Sequence, residues 1–322
     1  MSDESSSRTI GKAVRTLTRA LDAFRLENTS ALAGLTFVVN GHPVGVIRPS
    51  EWALLQKHTN DVFERKQGEV HLTRWKTEPE TTRGMAKVLN DLREKEVFPC
   101  LRGWRNELYD VAPSYGCPAV FRIERAATFI FGTKRYGIDV NGCIQDEHGR
   151  LKAVWLQRRS RSKELFPDLL DLYVSGGLAT GQTPDECMEK ECEEEASLSR
   201  KMCKQFVRPT GSAMYLYEDE LGIHPEISFC YDANLPADLM PKPSDGEVEE
   251  FIQMPVDTEN ELRSFLEVIA DPKKFKPTSV PIVVDLLIRR GLINGSFGAD
   301  FFRMLEVIHQ PLSRTYPPRQ NR

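Results

Sequence analysis

Apolar side chains recur every three or four residues near the start of the chain. They are Ile10, Val14, Leu17, Leu21 and Phe24. This spacing places them on one face of a helix of about five turns. Two β-rich runs follow within residues 35–47, and the Asn-Gly pair between them suits a turn with positive φ at both central positions. The pattern therefore predicts a helix followed by a β-hairpin.

The next segments mix the two periodicities. Residues 69–73 are typical of a strand, whereas residues 79–96 have apolar positions at helical spacing. Residues 103–111 are predicted to be extended. We therefore expect a smaller N-terminal α/β domain over residues 1–122, with no recognisable catalytic spacing of its own.

From about residue 120 the pattern changes to strands joined by glycine-rich turns, which indicates a second domain over residues 123–291. Strands are predicted within 120–132, 136–144, 151–159, 227–235 and 249–256, and helices at 184–197, 258–269 and 280–290. Residues 292–322 are expected to add a C-terminal helix and a disordered tail, because the final segment SRTYPPRQNR is rich in Pro and Arg. The predicted fold class is α+β.

The composition is globular and excludes several classes of protein. Of the 322 residues, 40% are apolar and 28% are charged. The 43 basic and 47 acidic residues give a net charge of −4, which weighs against a bulk nucleic-acid binder. No stretch approaches the roughly 20 apolar residues of a membrane helix, and no secretory signal is recognisable. The seven scattered cysteines predict free thiols, no structural zinc and a cytoplasmic location.

Chemistry can be inferred from the segment GGLATGQTPDECMEKECEEEASL, residues 176–198, which follows a short predicted strand. Thr183, Pro184 and Glu186 would supply a capping box and a first-turn proline, so a helix is expected to begin at about residue 184. Glycines allow close approach of a ligand to the backbone, and the amides at a helix N-terminus favour anions.

Three glutamates of this helix, Glu191, Glu194 and Glu195, share one face within an arc of about 100°. Like charges at this spacing repel one another. A divalent cation would reverse that effect, and hard carboxylate oxygens suit Mg²⁺, with Mn²⁺ as a substitute. Such an ion would polarise a phosphoryl oxygen and activate a water. The alternative is an acidic face that is simply solvated.

The order of strand, paired glycines, capped helix and glutamates resembles the Nudix box, G-x5-E-x7-R-E-U-x-E-E-x-G-U, in which U is aliphatic. Gly176 matches its first glycine, and Leu198 matches its last aliphatic position. Glu191, Glu194 and Glu195 match its three metal-binding glutamates. The resemblance implies that these three side chains hold the metal ion.

Three positions depart from the box. Gln182 replaces its first glutamate, Lys190 its arginine and Ser197 its late glycine. The first two positions mainly brace the loop, whereas the serine is expected to alter the end of the helix, where glycine tolerates a left-handed conformation. Because all three ligand positions keep glutamate, the resemblance implies an active hydrolase.

A wider resemblance, from about residue 8 to about residue 291, is to the thiamine-related Nudix group, in which a distinct N-terminal domain precedes the Nudix domain. It rests on residues 103–111, 122–142, 156–178, 190–197, 245–251 and 275–291. The resemblance implies an α/β/α sandwich with a mixed sheet. It also implies Mg²⁺-dependent hydrolysis of thiamine diphosphate analogues to monophosphates plus phosphate. Oxidised forms such as oxothiamine and oxythiamine diphosphate would be preferred, in a metabolite repair reaction.

Further residues are candidates for substrate binding. Arg158 and Arg159 are expected to hold the diphosphate, because a guanidinium group matches phosphate oxygens. The backbone of Gly176 and Gly177 is expected to approach the same group. The aromatic candidates for stacking on a substrate ring are Trp104, Tyr109 and Tyr136, each with core packing as the alternative.

An acidic run outside the box contains Glu247, Glu249 and Glu250. Nudix enzymes often use such a glutamate as a further ligand or as the base. Glu247 is the candidate from this run, and one of the three box glutamates is the alternative base. Surface acids without a catalytic role are the alternative.

Two other functions stay open. One is a Nudix hydrolase of another diphosphate, such as ADP-ribose, NADH or coenzyme A. The other is a non-catalytic Nudix-fold binding module, for which Gln182 and Ser197 are the motive. The expected partner is a small-molecule diphosphate, with neither nucleic acid nor a membrane. The N-terminal domain is expected either to form part of the pocket or to mediate homodimerisation.

Overall fold

The N-terminal part of the chain contains two small sheets. The computed structural model describes residues 2–59 and 61–318. The elements of this part are α1 (Ser2–Leu21), β1 (Leu35–Val39), β2 (His42–Ile47), α2 (Pro49–His58), β3 (Phe63–Lys66), β4 (Glu69–Leu72), α3 (Glu78–Glu94), β5 (Leu108–Val111), β6 (Phe121–Glu124) and α4 (Thr128–Phe131). One sheet has the order β2-β1-β4-β3 with β1 and β4 parallel, and β5 and β6 form an antiparallel pair. Helices α2, α3 and α4 share one apolar core with these strands.

The predicted β-hairpin is confirmed. Strands β1 and β2 pair antiparallel, and the turn residues Asn40 and Gly41 have φ values of +49° and +83°. A left-handed conformation at both positions matches the twist of the two strands.

The second part of the chain forms a seven-stranded mixed sheet. Its elements are β7 (Arg135–Gln145), β8 (Leu151–Arg159), β9 (Leu170–Asp171), β10 (Val174–Gly177), α5 (Pro184–Ala196), α6 (Arg200–Phe206), β11 (Val207–Asp219), β12 (Gly222–Asn234), β13 (Val248–Pro255), α7 (Glu259–Ile269) and α8 (Val280–Arg289). The strand order is β11-β12-β7-β8-β13, with β10 paired to β7 and β9 to β8. Strands β7 and β12 are parallel, and the other pairs are antiparallel.

Helices cover both faces of this sheet, so the predicted α+β class and its α/β/α sandwich are confirmed. Helix α5 packs on one face through Cys187, Met188 and Cys192. The other face packs against α1, α7, α8 and α9 (Ala299–Ile308). The predicted apolar face of α1 is confirmed, because all five of its positions are buried in this second core. By its packing, the first helix therefore belongs to the second unit.

One prediction of local structure is wrong, and two elements were missed. Within residues 120–132 only β6 is a strand, and the rest is a 3₁₀ turn followed by α4. Phe129, Ile130 and Phe131 are all buried in the N-terminal core, and a short segment buried on every side has no periodicity that distinguishes helix from strand. Helix α6 and strand β11 were not expected at all.

The prediction of a disordered tail is also wrong for its described part. Helix α10 (Leu312–Thr315) follows α9, and Tyr316 is 3% exposed with its hydroxyl donating to the carbonyl of Gly132. Burial of one large aromatic ring anchors a segment whose composition alone indicates disorder. Residues 319–322 lie outside the described part of the chain. In the parts that are described, no helix is both long and apolar enough to span a bilayer.

Candidate active site

The ends of α5 are set by local chemistry. The predicted capping box is confirmed, because Thr183 Oγ1 accepts from the Glu186 amide at 3.3 Å and the Glu186 carboxylate accepts from the Thr183 amide at 2.9 Å. At the other end Ser197 has φ +54°, and its hydroxyl donates to the Lys242 carbonyl at 2.8 Å. The serine therefore ends the helix in the left-handed conformation that favours glycine.

The paired glycines before α5 are required by close contacts within the protein. A Cβ atom at Gly176 would lie 2.3 Å from Cγ of Glu191. A Cβ atom at Gly177 would lie 1.7 Å from the hydroxyl oxygen of Tyr109. Both distances are far below van der Waals contact, so Glu191 and Tyr109 occupy the positions that side chains would take here, while the backbone of both glycines lies on the wall of the cavity described below.

A lysine bridges the two more exposed box glutamates. The ammonium of Lys190 lies 3.2 Å from Oε1 of Glu191 and 3.1 Å from Oε2 of Glu194. Lys190 occupies the position of the arginine in the Nudix pattern. The two carboxylates thus bracket a single positive charge at the surface of the helix.

The third box glutamate, Glu195, is buried behind the other two. Its Oε2 accepts from Nε2 of Gln157 and from the amide of Ser175, both at 3.1 Å. Burial, together with the charge of Glu191, raises the pKa of Glu195 to about 8. Burial also raises the pKa of Glu191. Glu191 and Glu195 therefore bind protons more readily than ordinary glutamates do.

Glu247 is the member of the acidic run that faces this cluster. It pairs with the ammonium of Lys163, and its Oε1 lies 3.9 Å from Nη1 of Arg105. Burial and the neighbouring Arg159 lower the pKa of Lys163 to about 8. Glu249 instead accepts hydrogen bonds from the hydroxyl of Ser160 and the amide of Arg161.

The two arginines predicted to bind phosphate are committed to other partners. Arg158 pairs with Glu250 at 2.8 Å and does not line the cavity described below. Arg159 does line it, but its guanidinium donates to Asp171 at 2.8 Å and to the carbonyls of residues 165–166 at 3.0 Å. All three of its nitrogens are thereby bonded within the protein, which argues against the predicted role.

A cavity of about 700 Å³ brings most of the predicted residues together. Those on its walls are Tyr136, Arg159, Gly176, Gly177, Glu191, Glu194, Glu195 and Glu247. Tyr109 is instead buried beneath Gly177. The ring of Trp104 lies under the guanidinium of Arg93, at 4.9 Å.

Several charged side chains on the same walls were missed by the motif reasoning. Five of them are Arg102, Arg105, Glu107, Arg125 and Asp139. All but the first lie within segments 103–111 and 122–142, on which the wider family resemblance rests. That signal could have found them, whereas spacing relative to the box could not. The first four belong to the N-terminal unit, which thus forms part of the pocket.

The box glutamates fit a hard divalent cation by their chemistry. No group of three or more Asp, Glu, His or Cys side chains in residues 2–59 and 61–318 already converges on a metal position. However, Glu191 and Glu194 share a cation in the form of Lys190, and Glu195 has no ion pair within the same residues. All the donors are carboxylate oxygens, the ligands that Mg²⁺ and Mn²⁺ prefer.

Two family models match adjacent parts of the chain. A family model described as NUDIX domain matches residues 135–273, and a model for a domain of unknown function, DUF4743, matches residues 16–135. Nudix hydrolase 20, chloroplastic, from Arabidopsis thaliana is 36% identical over 269 residues, which are 80% of this chain and 68% of that protein. Nudix hydrolase 24, chloroplastic, from the same plant is 37% identical over 262 residues, with the same shares.

Solved structures show similarity at low sequence identity. A bifunctional NMN adenylyltransferase/ADP ribose pyrophosphatase from Francisella tularensis has a TM-score of 0.36 and 15% identity. The match covers 49% of this chain and 42% of that one.

Proposed function

Since this chain belongs to the Nudix hydrolase family, we propose that it converts thiamine diphosphate analogues to monophosphates and inorganic phosphate. Oxothiamine and oxythiamine diphosphate are the preferred substrates in this proposal, which makes the reaction one of metabolite repair. Nudix hydrolases act on small-molecule diphosphates and generally use divalent metal ions, and Mg²⁺ is the ion proposed here.

One observation carries the chemical part of the proposal. Glu191, Glu194 and Glu195 line one wall of a cavity of about 700 Å³. Glu195 is held by two hydrogen bonds, and Glu191 is packed against Gly176, so both are oriented before any ligand enters. We assign these three carboxylates to hold Mg²⁺. When bound, the ion would polarise a phosphoryl oxygen and lower the pKa of the attacking water.

Glu247 is the proposed general base. Of the three glutamates in its run, it alone lines the cavity. Lys163 beside it would hold the carboxylate in position until the water loses its proton. Attack by that water on the terminal phosphorus would break the anhydride bond and leave the monophosphate as the second product. The Glu247 carboxyl, which has taken up the proton of the water, would then release it to solvent.

Asp139 supports an aminopyrimidine head group in the substrate. This half-buried carboxyl lines the same cavity, accepts a hydrogen bond from the Ser228 hydroxyl and forms no ion pair in the described part of the chain. Burial raises its pKa to about 7. A carboxyl that keeps its proton near neutral pH can donate to a ring nitrogen while accepting from the adjacent amino group. The aminopyrimidine of thiamine and of oxothiamine presents such an edge, and adenine presents a related one. Oxythiamine has an oxygen in place of this amino group, so the contact favours oxothiamine diphosphate over oxythiamine diphosphate.

The proposal is tested with a panel of diphosphates. The purified protein is incubated with Mg²⁺ and thiamine, oxothiamine or oxythiamine diphosphate, ADP-ribose, NADH or coenzyme A, and products are separated by chromatography. We expect the oxidised thiamine forms to be converted fastest. Glu194→Gln should lower that turnover by on the order of 100-fold, because it removes one ligand charge. The matched control is Glu193→Gln, an exposed position on the opposite face of α5.

The panel separates the three functions. Turnover confined to ADP-ribose, NADH or coenzyme A would refute the thiamine assignment and leave the hydrolase chemistry intact. Binding without turnover at every Mg²⁺ or Mn²⁺ concentration would indicate a binding module. Equal turnover by the two glutamine variants would refute the metal assignment.

A further inference from the structure

The N-terminal unit is joined directly to the glycine loop that precedes α5. The amide of Thr180 donates to the carbonyl of Leu108 at 2.9 Å, and the Thr180 hydroxyl donates to Asp110 at the same distance. These bonds fix strand β5 against the loop. Side chains that follow β5 and its partner β6 are therefore held at a defined position beside the Nudix box.

Arg125, directly after β6, is a charged side chain that this arrangement brings next to the box. Its Cζ lies 3.6 Å from the position of a Cβ atom on Gly177. The neighbouring Gly176 leaves room for Glu191, so Arg125 and Glu191 meet the same pair of glycines. The Arg125 side chain is 31% exposed and lines the cavity.

Two residues of the N-terminal unit hold the guanidinium in place. Nη1 of Arg125 donates to the carboxylate of Glu107 at 2.9 Å, and Cζ lies 5.8 Å from the centre of the Tyr109 ring. Glu107 also accepts the Arg125 backbone amide through its carbonyl. No bond of Nε or Nη2 to a residue in 9–59 or 61–318 is seen. Arg125 is thus oriented in advance and keeps donors for a ligand, unlike Arg159.

We propose that Arg125 binds the diphosphate group of the substrate at the Gly176–Gly177 pair, and that this is the contribution of the N-terminal unit to the active site. The inference rests on the proposed diphosphate hydrolysis but not on thiamine as the head group. A planar guanidinium with free donors on one edge is suited to two oxygens of one phosphate. Arg102 and Arg105, both exposed on the same walls, add positive charge at the entrance.

The test is binding of inorganic diphosphate by calorimetry, with EDTA present so that no hydrolysis occurs. Arg125→Gln should weaken this binding by about 10- to 100-fold, because the lost hydrogen bonds are to a charged group. Arg125→Lys keeps the charge but not the two-donor geometry, so an intermediate loss is expected. The matched control is Arg150→Gln, an exposed arginine that pairs with Asp146 and does not line the cavity.

A second measurement separates phosphate binding from a structural role. With Mg²⁺ and whichever diphosphate is turned over, Arg125→Lys should raise KM more than it lowers kcat, while its thermal unfolding midpoint stays that of the wild type. If Arg125→Gln does not fold, Arg125→Lys alone decides. The proposal is overturned if the wild type does not bind diphosphate, or if both Arg125 variants bind it as the Arg150 control does. Failure of thiamine turnover alone leaves this result unchanged.

Discussion

The hydroxyl of Tyr109 lies where a side chain at position 177 would begin, so this position requires glycine. The clash of a Cβ atom with the Tyr109 oxygen at 1.7 Å is severe, whereas the next ring atom, Cζ, would lie at 2.9 Å. We therefore expect Gly177→Ala to lower the free energy of unfolding by about 1–3 kcal/mol, as overpacking does in a filled interior. Urea denaturation measures this loss.

Tyr109→Phe is the partner substitution in that experiment. The Tyr109 hydroxyl is buried and has no hydrogen-bond partner in the described part of the protein, so its removal should be neutral or stabilising by about 1 kcal/mol. In the Tyr109→Phe background Gly177→Ala should cost less than in the wild type, because the closest clash is gone. Strictly additive effects would contradict this account of the glycine.

The arginines show that residue type alone does not predict which hydrogen-bond donors remain available to a ligand. Helical periodicity alone predicted that Glu191, Glu194 and Glu195 share a face. It could not predict that Asp171 and two carbonyls take the donors of Arg159, because those partners meet it only in the folded chain. Arg125 is the better candidate for binding phosphate because only one of its guanidinium nitrogens, Nη1, is seen to bond to another described residue.

At the scale of secondary-structure elements, the buried carboxylate of Asp171 in β9 connects side chains from several segments. Its carboxylate accepts from Arg159 of β8, from Lys276 and from the hydroxyl of Ser279. Although burial alone would raise it, Lys276 and Arg159 hold the pKa of Asp171 down to about 2. A native pKa below the unfolded value gives stability that is present above about pH 4 and is lost as the pH falls towards 2.

Asp171→Asn should therefore destabilise the protein and change its acid response. We expect a loss of about 2–4 kcal/mol at pH 7, because two half-buried cations lose their charged partner. The decline in stability between pH 4 and 2 should also be shallower by about 2–3 kcal/mol. Urea titrations across this pH range measure both. Asp168→Asn replaces an exposed carboxylate in the loop before β9 and should leave both unchanged, and an equal effect of the two variants would refute the assignment.

Elements were predictable where their signals are local. The start of α5 follows from its capping box, and β8 was predicted at its observed limits because an apolar run ends in polar residues. Strand β11 was missed because its pairing with β12 is interrupted by a bulge between Pro209 and Gly211, which breaks the alternation. Pairing with β12, and not a periodicity in its own sequence, holds β11 in the extended conformation.

At the scale of the whole molecule, the two family-matched regions are not separate bodies in packing. Helix α1 opens the chain, yet Val14, Leu17 and Leu21 are fully buried against the second unit, in one core with Phe265 and Leu266 of α7. At the other end of the chain, Tyr316 bonds to Gly132 between the two units. A boundary near residue 122 describes the order of motifs along the sequence. In the folded chain, however, segments from both ends of the sequence pack or bond across this boundary.

This interlocking predicts one cooperative unfolding transition for the full chain. The four tryptophans offer the test, since Trp52, Trp75 and Trp104 lie in the N-terminal unit and Trp155 lies in β8 of the second. In a Trp155→Phe variant, fluorescence reports only the N-terminal unit, while far-UV circular dichroism reports the whole chain. In the triple variant with phenylalanine at the other three positions, fluorescence reports only the second unit. We expect the two signals to coincide within each variant, because unfolding either unit removes contacts that join the two, such as those of Thr180 with β5 and of Tyr316 with Gly132. Separated midpoints within a variant would mean that the N-terminal unit unfolds independently, and Arg125 would then leave the active site before the Nudix fold itself is lost.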